Sequence, residues 1–275
     1  MRIATWNVNS VRTRLDQVVA WLQQEQPDVL CLQETKVADE LFPHAAFQDL
    51  GYATAISGQK AYNGVAILSR LPMDDVQIGF DALLSDAAAA ELSEQKRVIS
   101  ALVEGVRVLN LYVPNGSSLS SDKYPYKLAW LGCLRHYLEA QEEQADPLCM
   151  VGDFNIGPEA RDLHDPERLT GGIMASEAER SALREVLGER LVDAFRLFEQ
   201  EAGHWSWWDY RTGAWENDRG WRIDHIYLSE ELAGCATGCV IDRGPRGNVQ
   251  PSDHAPVVVN LAWPPDDEEE SDDWL

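Results

Sequence analysis

Lysine is scarce in this chain of 275 residues. Only five of its 23 bases are Lys, and those bases face 46 acids, giving a formal charge of −23. So acidic a protein lacks the broad basic face that holds non-specific binders on nucleic acid. A nuclease remains compatible, because a local basic rim and a metal ion can offset a global field. No run of about 18 apolar residues occurs, so no membrane-crossing helix is expected. The five cysteines (Cys31, Cys133, Cys149, Cys235 and Cys239) are odd in number, and their spacing suits neither a disulfide framework nor a zinc site. Free thiols fit a reducing compartment. The opening MRIATWNVNS runs straight into a strand-like pattern with no leader signature. A cytoplasmic protein is therefore expected. There is no fixed-period repeat and no Pro/Gly/Ser linker, which predicts one domain over residues 1–263. Low complexity is confined to residues 264–275 (PPDDEEESDDWL), with seven acids and no base. Without them the charge is still −16. This tail is expected to be disordered.

What is present is an alternation of strand and helix signals. RIATWNV (2–8) reads as a buried strand. Ser10 is expected to cap a helix carrying Val11, Leu15, Val18, Val19 and Leu22 at helical spacing, and DVLCL (28–32) is the next strand. Further strand signals lie at 52–57, 64–69, 98–103 and 106–113, the last two joined by the Glu104-Gly105 turn. Residues 123–142 read as a helix, 148–151 as a strand, 176–200 as a helix interrupted near Gly188, and 223–228 and 255–261 as closing strands. Hairpins mixed with helices predict an α/β fold of packed sheets covered by helices, not a purely alternating parallel sheet.

Polar residues recur where apolar strands end: Asn7 and Asn9 after IATW, Glu34 after VLCLQ, Asp153 and Asn155 after CMVG, Asp224 within WRID, and Asp253 and His254 before APVVV. Singly, each is as readily a turn or cap residue. Together they resemble the oxygen-rich surroundings that a hard divalent cation requires; Mg2+ typically takes one or two carboxylates, and Glu34 with Asn7 would suit it.

The segments TWNVNSVR, LQETK, YNGVAILSR, YVPNG, GDFNIGP, SWWDYR, GWRIDHIYLS and SDHAP, in this order, resemble the signatures of exonuclease III type abasic-site endonucleases of the endonuclease/exonuclease/phosphatase superfamily. The resemblance runs over residues 1–262. It implies a four-layer α/β sandwich built on two packed mixed β-sheets. It also implies metal-dependent hydrolysis of the DNA phosphodiester 5′ to an abasic site, with 3′→5′ exonuclease and 3′-phosphatase activities. Mg2+ is the implied cofactor, with Mn2+ as a substitute, and the implied partner is double-stranded DNA with abasic sites or blocked 3′ ends, bound by a monomer. Carried over residue by residue, Glu34 resembles the principal metal ligand, with Asn7 beside it. Asp153 resembles the residue that orients or deprotonates the attacking water, and Asn155 the amide that stabilises the charged intermediate. Tyr112 resembles the catalytic tyrosine, and Asp224 the acid that orients the histidine, His254. Asp253 resembles a further metal-site carboxylate. Asp153, Asn155 and His254 are also counted with the metal group.

Lys36, Arg97, Asn115, Lys123 and Lys127 match positions that meet the phosphate backbone, contacts that position a strand without reading its sequence. Trp207, Trp221 and Ile223 resemble the apolar pocket that admits a flipped-out abasic sugar, while Trp205 and Trp208 read as core. Strand alternation turns His225 away from the face that carries Asp224. Segment 159–182 matches the pattern only loosely, which leaves the balance of endonuclease and exonuclease action open. Two rival functions are a superfamily phosphoesterase on a non-DNA substrate and a non-catalytic regulator. The presence of Glu34, Asp153, Asn155, Asp224 and His254 together weighs against the second.

Overall fold

The computed structural model describes residues 1–265. The tail expectation falls almost wholly on residues 266–275, outside the described residues. One sheet is built from β1 (Arg2–Asn7), β2 (Val29–Gln33), β3 (Ala53–Ser57), β4 (Val65–Ser69), β11 (Ala236–Ile241) and β12 (Val257–Leu261). The other is built from β5 (Asp74–Ile78), β6 (Val98–Val103), β7 (Val106–Tyr112), β8 (Leu148–Asp153), β9 (Leu191–Asp193) and β10 (Asp224–Ser229). Their strand orders are β11-β12-β1-β2-β4-β3 and β5-β6-β7-β8-β10-β9. The helices are α1 (Leu15–Glu25), α2 (His44–Gln48), α3 (Ala87–Ser93), α4 (Lys123–Glu142), α5 (Pro166–Leu169), α6 (Glu177–Leu187), α7 (Ala194–Phe198) and α8 (Glu230–Gly234).

Each sheet has one parallel pair at its centre, β1/β2 and β7/β8, with antiparallel neighbours on both sides. A parallel pair needs a crossover, which α1 and α4 supply. Both faces of these central strands are covered, which is why they read as continuous apolar runs. Ile3, Cys31 and Ile67 of the first sheet pack against Val108, Val151 and Ile226 of the second. On the outer faces, Val18, Trp21 and Leu22 of α1 cover Trp6 and Leu30. Trp130, Leu131 and Leu134 of α4, with Leu183 and Val186 of α6, cover Leu109 and Met150. The result is the expected four-layer sandwich of helix, sheet, sheet and helix.

A polar link crosses the apolar interior just below one edge. Gln33 Nε2 donates to Thr5 Oγ1 (2.8 Å) and Asn110 Oδ1 (2.7 Å). Asn110 Nδ2 donates to the carbonyls of Leu32 (3.0 Å) and Ala66 (2.8 Å) in the facing sheet. Buried amides so satisfied fix how the two sheets sit on each other. At that edge β1, β2, β7 and β8 all end and β10 begins. Tyr112 lies opposite Asp153 in the β7/β8 register, and Asp224 lies opposite Asp153 in the β8/β10 register.

Two expectations are corrected. Ser10 does not cap α1: it has φ +87°, whereas an N-cap residue is typically extended, and the helix begins at Leu15. Instead, the N–H groups of Ser10 and Val11 bond the carbonyls of Glu34 and Thr35, tying the loop after β1 to the loop after β2. Residues 176–200 are not one interrupted helix. After α6, whose capping box joins Ser176 and Glu179, Leu191–Asp193 pairs with β10 as an edge strand.

Candidate active site

Every strand-end polar residue noted above reaches this one edge. Asn7 Nδ2 donates to Glu34 Oε1 and to Asp153 Oδ2, both at 2.9 Å, so one amide bridges carboxylates from the two sheets. Glu34 and Asn155 both adopt the left-handed region, with φ of 50° each. That is uncommon for Glu and tolerated by Asn, and such strain concentrates where a side chain must be aimed. Asn155 N donates to Asp153 Oδ1 (2.9 Å), and Asn155 Nδ2 donates to Val113 O (3.0 Å) and Asp153 Oδ2 (3.2 Å). Asn115 Nδ2 in turn donates to Asn155 Oδ1 (2.8 Å).

His254 stands on the other side. Its Nδ1 lies 2.8 Å from Asp224 Oδ2, and its Nε2 faces Asp153 Oδ2 at 3.8 Å. Ser206 Oγ donates to Asp224 Oδ2 (2.7 Å) and accepts from the N–H groups of Ile223 and Asp224. Burial disfavours the imidazolium, but Asp224 and Asp153 outweigh it and push the His254 pKa up. The Asp153 pKa is also raised. Burial is the main cause and the charges of Asp224 and Glu34 add to it, against His254 and Asn7. Tyr112 is pushed well above the ordinary phenol range by burial and by the charges of Glu34 and Asp153, so it remains a hydroxyl donor.

Glu34, Asp153 and His254 offer ligand atoms all within 4.8 Å of one another. Three neighbouring carboxylates, Glu34, Asp153 and Asp224, crowd a largely buried space, and a divalent cation is what relieves such repulsion. The donor set therefore fits a hard metal ion. Asn7, Asn155 and Asp253, expected in the same group, serve beside it. Asn7 and Asn155 turn amide nitrogens to the carboxylates. Asp253 accepts from Asn9 Nδ2 (3.0 Å) and Trp207 Nε1 (2.9 Å).

A cluster of aromatic side chains adjoins this centre. Trp207 is half-buried, with its ring 6.4 Å from those of both His254 and Trp221, while Trp221 and Ile223 are buried behind it. Trp205 and Trp208 are core, as expected. His225 points away from the site, stacked on Phe154 and bonded to Tyr227.

Of the expected phosphate contacts, Lys36 is half-buried, with its Nζ 2.8 Å from Glu34. A cleft of about 730 Å³ opens from Tyr112 and is lined by Arg97, Asn115, Lys123 and Tyr126. The Arg97 guanidinium lies over the Tyr112 ring at 4.5 Å. Lys127 is a correction. It is fully buried and paired with Glu179 at 2.6 Å, so no phosphate reaches it. It sits one turn after Lys123 on α4, on the face turned to the core. Sequence reasoning missed Ser206 and Glu179. Ser206 sits inside the quoted SWWDYR, and the Ser176-x-x-Glu179 spacing is a capping-box signal.

The Endonuclease/Exonuclease/phosphatase family profile matches residues 4–254. Exodeoxyribonuclease III of Haemophilus influenzae is 35% identical over 94% of this chain and 98% of its own length. An exodeoxyribonuclease of Bacillus subtilis is 31% identical over 95% of this chain and 100% of its own. Among solved structures, the Neisseria 3′ phosphatase NExo, bound to a product DNA hairpin, superposes with a TM-score of 0.89 at 40% identity, covering 96% of this chain and 100% of that one. An AP endonuclease of Archaeoglobus fulgidus does so with a TM-score of 0.88 at 39% identity, covering 95% and 99%. The chain therefore belongs to the endonuclease/exonuclease/phosphatase family and, within it, to the exodeoxyribonuclease III group of nucleases.

Proposed function

We propose that the edge site hydrolyses DNA phosphodiesters in base excision repair, cutting 5′ to an abasic sugar and also trimming nucleotides and phosphates from 3′ ends. The observation that carries this reading is the facing of Asp153 and His254 across 3.8 Å, with Trp207 alongside. The two side chains converge on one point of the edge, so a phosphate set against them meets a base and a proton donor at once, with the aromatic ring beside it where a sugar without its base would lie. An abasic nucleotide is cheap to extrude, which favours it at a site bordered by aromatic side chains.

Asp153, held by Asn7 and Asn155, aims its carboxylate at the attacking water. His254, kept protonated by Asp224 and Asp153, donates from Nε2 to a phosphate oxygen. Glu34 and Asp153 are the carboxylates that would hold the ion, with His254 Nε2 within reach of the same point. Bound there, Mg2+, or Mn2+ in its place, supplies charge neutralisation at the phosphate and the departing oxygen. Tyr112, beside Glu34, offers a neutral hydroxyl to the same phosphate. Arg97 and Lys123 line the cleft along which the backbone is read as running, with Asn115 among them. The five unpaired cysteines support a reducing, cytoplasmic setting, and we read the working form as a monomer.

A duplex carrying a single tetrahydrofuran abasic analogue and a primer ending in 3′-phosphate test the reading together. Strand scission 5′ to the analogue and phosphate release, both requiring Mg2+ and abolished by chelator, are expected. Hydrolysis of neither substrate would refute it. Release from the primer alone would restrict the activity to 3′ ends.

A further inference from the structure

We propose that Lys127, backed by Glu179, is a positioning residue for the hydrolytic step: a buried cation that sets Asn155 and Asn115 through their backbone carbonyls. The inference rests on the reading of the edge site as a phosphodiester hydrolase. Lys127 Nζ donates to Asn155 O at 2.7 Å, to Asn115 O at 3.3 Å and to Glu179 Oε1 at 2.6 Å. An ammonium has three protons, and all three have acceptors here. Both charged side chains have no exposed surface. The pair therefore gains nothing from solvent and meets no ligand directly. Replacing such a pair with apolar residues is often neutral or stabilising, so stability alone is a weak reason for its presence.

Its partners suggest the reason. Asn155 is held in the left-handed region at φ 50°, and the bond from Lys127 to its carbonyl, with the bond from its own N–H to Asp153, fixes that conformation from both sides. Asn115 meets Asn155 side chain to side chain, and Lys127 holds its carbonyl as well. The loop after β7 closes over the lysine stem at Gly116. There φ is +86°, and a Cβ would stand 3.3 Å from Lys127 Cδ and 3.0 Å from Ile173 Cδ1. Glu179 completes the anchor. It accepts from Met174 N, Ser176 N and Ser176 Oγ, which joins the otherwise loosely recognisable segment 159–182 to the site. Four stretches of chain, α4, the start of α6 and the loops after β7 and β8, meet on one ammonium.

The test uses Lys127→Met, the double variant Lys127→Met/Glu179→Gln, and each on an Asn155→Ala background, with kcat and KM measured on the abasic duplex and Tm on the protein. Lys127→Met is expected to lower Tm and to lower kcat by roughly 10- to 100-fold, the cost of slight misplacement at a reacting centre, with KM unchanged. Glu179→Gln neutralises the stranded carboxylate and keeps one acceptor oxygen, enough for the Ser176 N–H and hydroxyl but not for Met174 N as well. The double variant is expected to regain part of the lost Tm while kcat stays low. On the Asn155→Ala background Lys127→Met is expected to cost less than about threefold more, because the amide it positions is gone. Recovery of kcat along with Tm would overturn the proposal in favour of a purely structural pair. A raised KM at unchanged kcat would overturn it in favour of a DNA contact. Should the wild type act on the 3′-phosphate primer alone, the same variants are read on that primer; a wild type that hydrolyses neither substrate would instead sink the hydrolytic reading, and this inference with it.

Discussion

Glu34 is the residue on which the metal assignment turns. Its carboxylate lies against Asn7 and Lys36, close to Asp153, and its backbone is strained to put it there. Glu34→Gln keeps the shape and removes the charge. It is expected to raise the Mg2+ concentration for half-maximal cutting by at least about 10- to 100-fold, which is what loss of even an outer partner of a ligand costs. A titration of activity against Mg2+ reads this, and an unchanged midpoint would refute the assignment. Asn155→Ala removes a neutral donor from a dry site and loosens Asp153. It is expected to cost about 100- to 1000-fold in kcat, or roughly 2.7–4 kcal/mol, with KM little changed. These residues were legible in the sequence because each ends an apolar run, and the end of a strand fixes where its last side chain emerges. Their division of labour was not. Whether Asn7 offers oxygen or nitrogen to the carboxylates, and whether Asp253 faces the metal group or Trp207, depends on neighbours 146 and 46 residues away in the chain. Lys127 was misjudged for the same reason. A lysine on a predicted helix reads as solvent-facing until its partner, 52 residues on, is known to be buried beside it.

At the scale of elements, β10 carries function on one face and stability on the other. Asp224 turns to His254, and the next residue, His225, turns outward against Phe154, Tyr227 and the carbonyl of Arg222. Burial, helped by the charge of Arg222, pushes the His225 pKa from 6.5 down to about 4. Between those values the unfolded chain takes up a proton that the folded chain refuses. The stability from keeping this ring neutral is thus complete above pH 6.5 and is lost as pH falls towards 4, a drop of roughly 3 kcal/mol. His225→Gln is expected to be less stable than wild type at pH 7 but to lose about that much less on acidification. Urea unfolding at pH 7, 5.5 and 4 reads the difference, and parallel curves for the two proteins would refute the claim. The central strands were legible as continuous apolar runs and α4 as a long helical one. The edge strands were not. β5 is a mostly exposed DDVQI and β9 is three residues long, so neither buries a pattern that a sequence can display. The Ser10 cap failed because its N–H bonds the Glu34 loop, a tertiary contact that local spacing does not contain.

For the whole molecule the question is how a chain of charge −23 holds a polyanion. A non-specific DNA binder spreads many cations over its surface, and its affinity then falls steeply with salt because each neutralised phosphate releases counterions. Here the cleft from Tyr112 offers Arg97 and Lys123, and Lys36 is half-committed to Glu34. Two or three phosphate contacts predict that the logarithm of affinity falls with the logarithm of salt concentration at a slope of only about −2 to −3. Binding to undamaged duplex should be correspondingly weak, and most of the hold on a substrate should come from the aromatic side chains at Trp207 and from the metal centre. Lys123→Ala is expected to raise KM on the abasic duplex at low salt and to flatten the slope by about 0.9, since one contact is gone, while leaving kcat nearly unchanged. Measuring KM between 25 and 200 mM KCl, on the order of one decade, decides the matter. A slope much steeper than −3 would mean that cations outside this cleft carry the binding, and an unaltered slope in the variant would remove Lys123 from the path of the backbone.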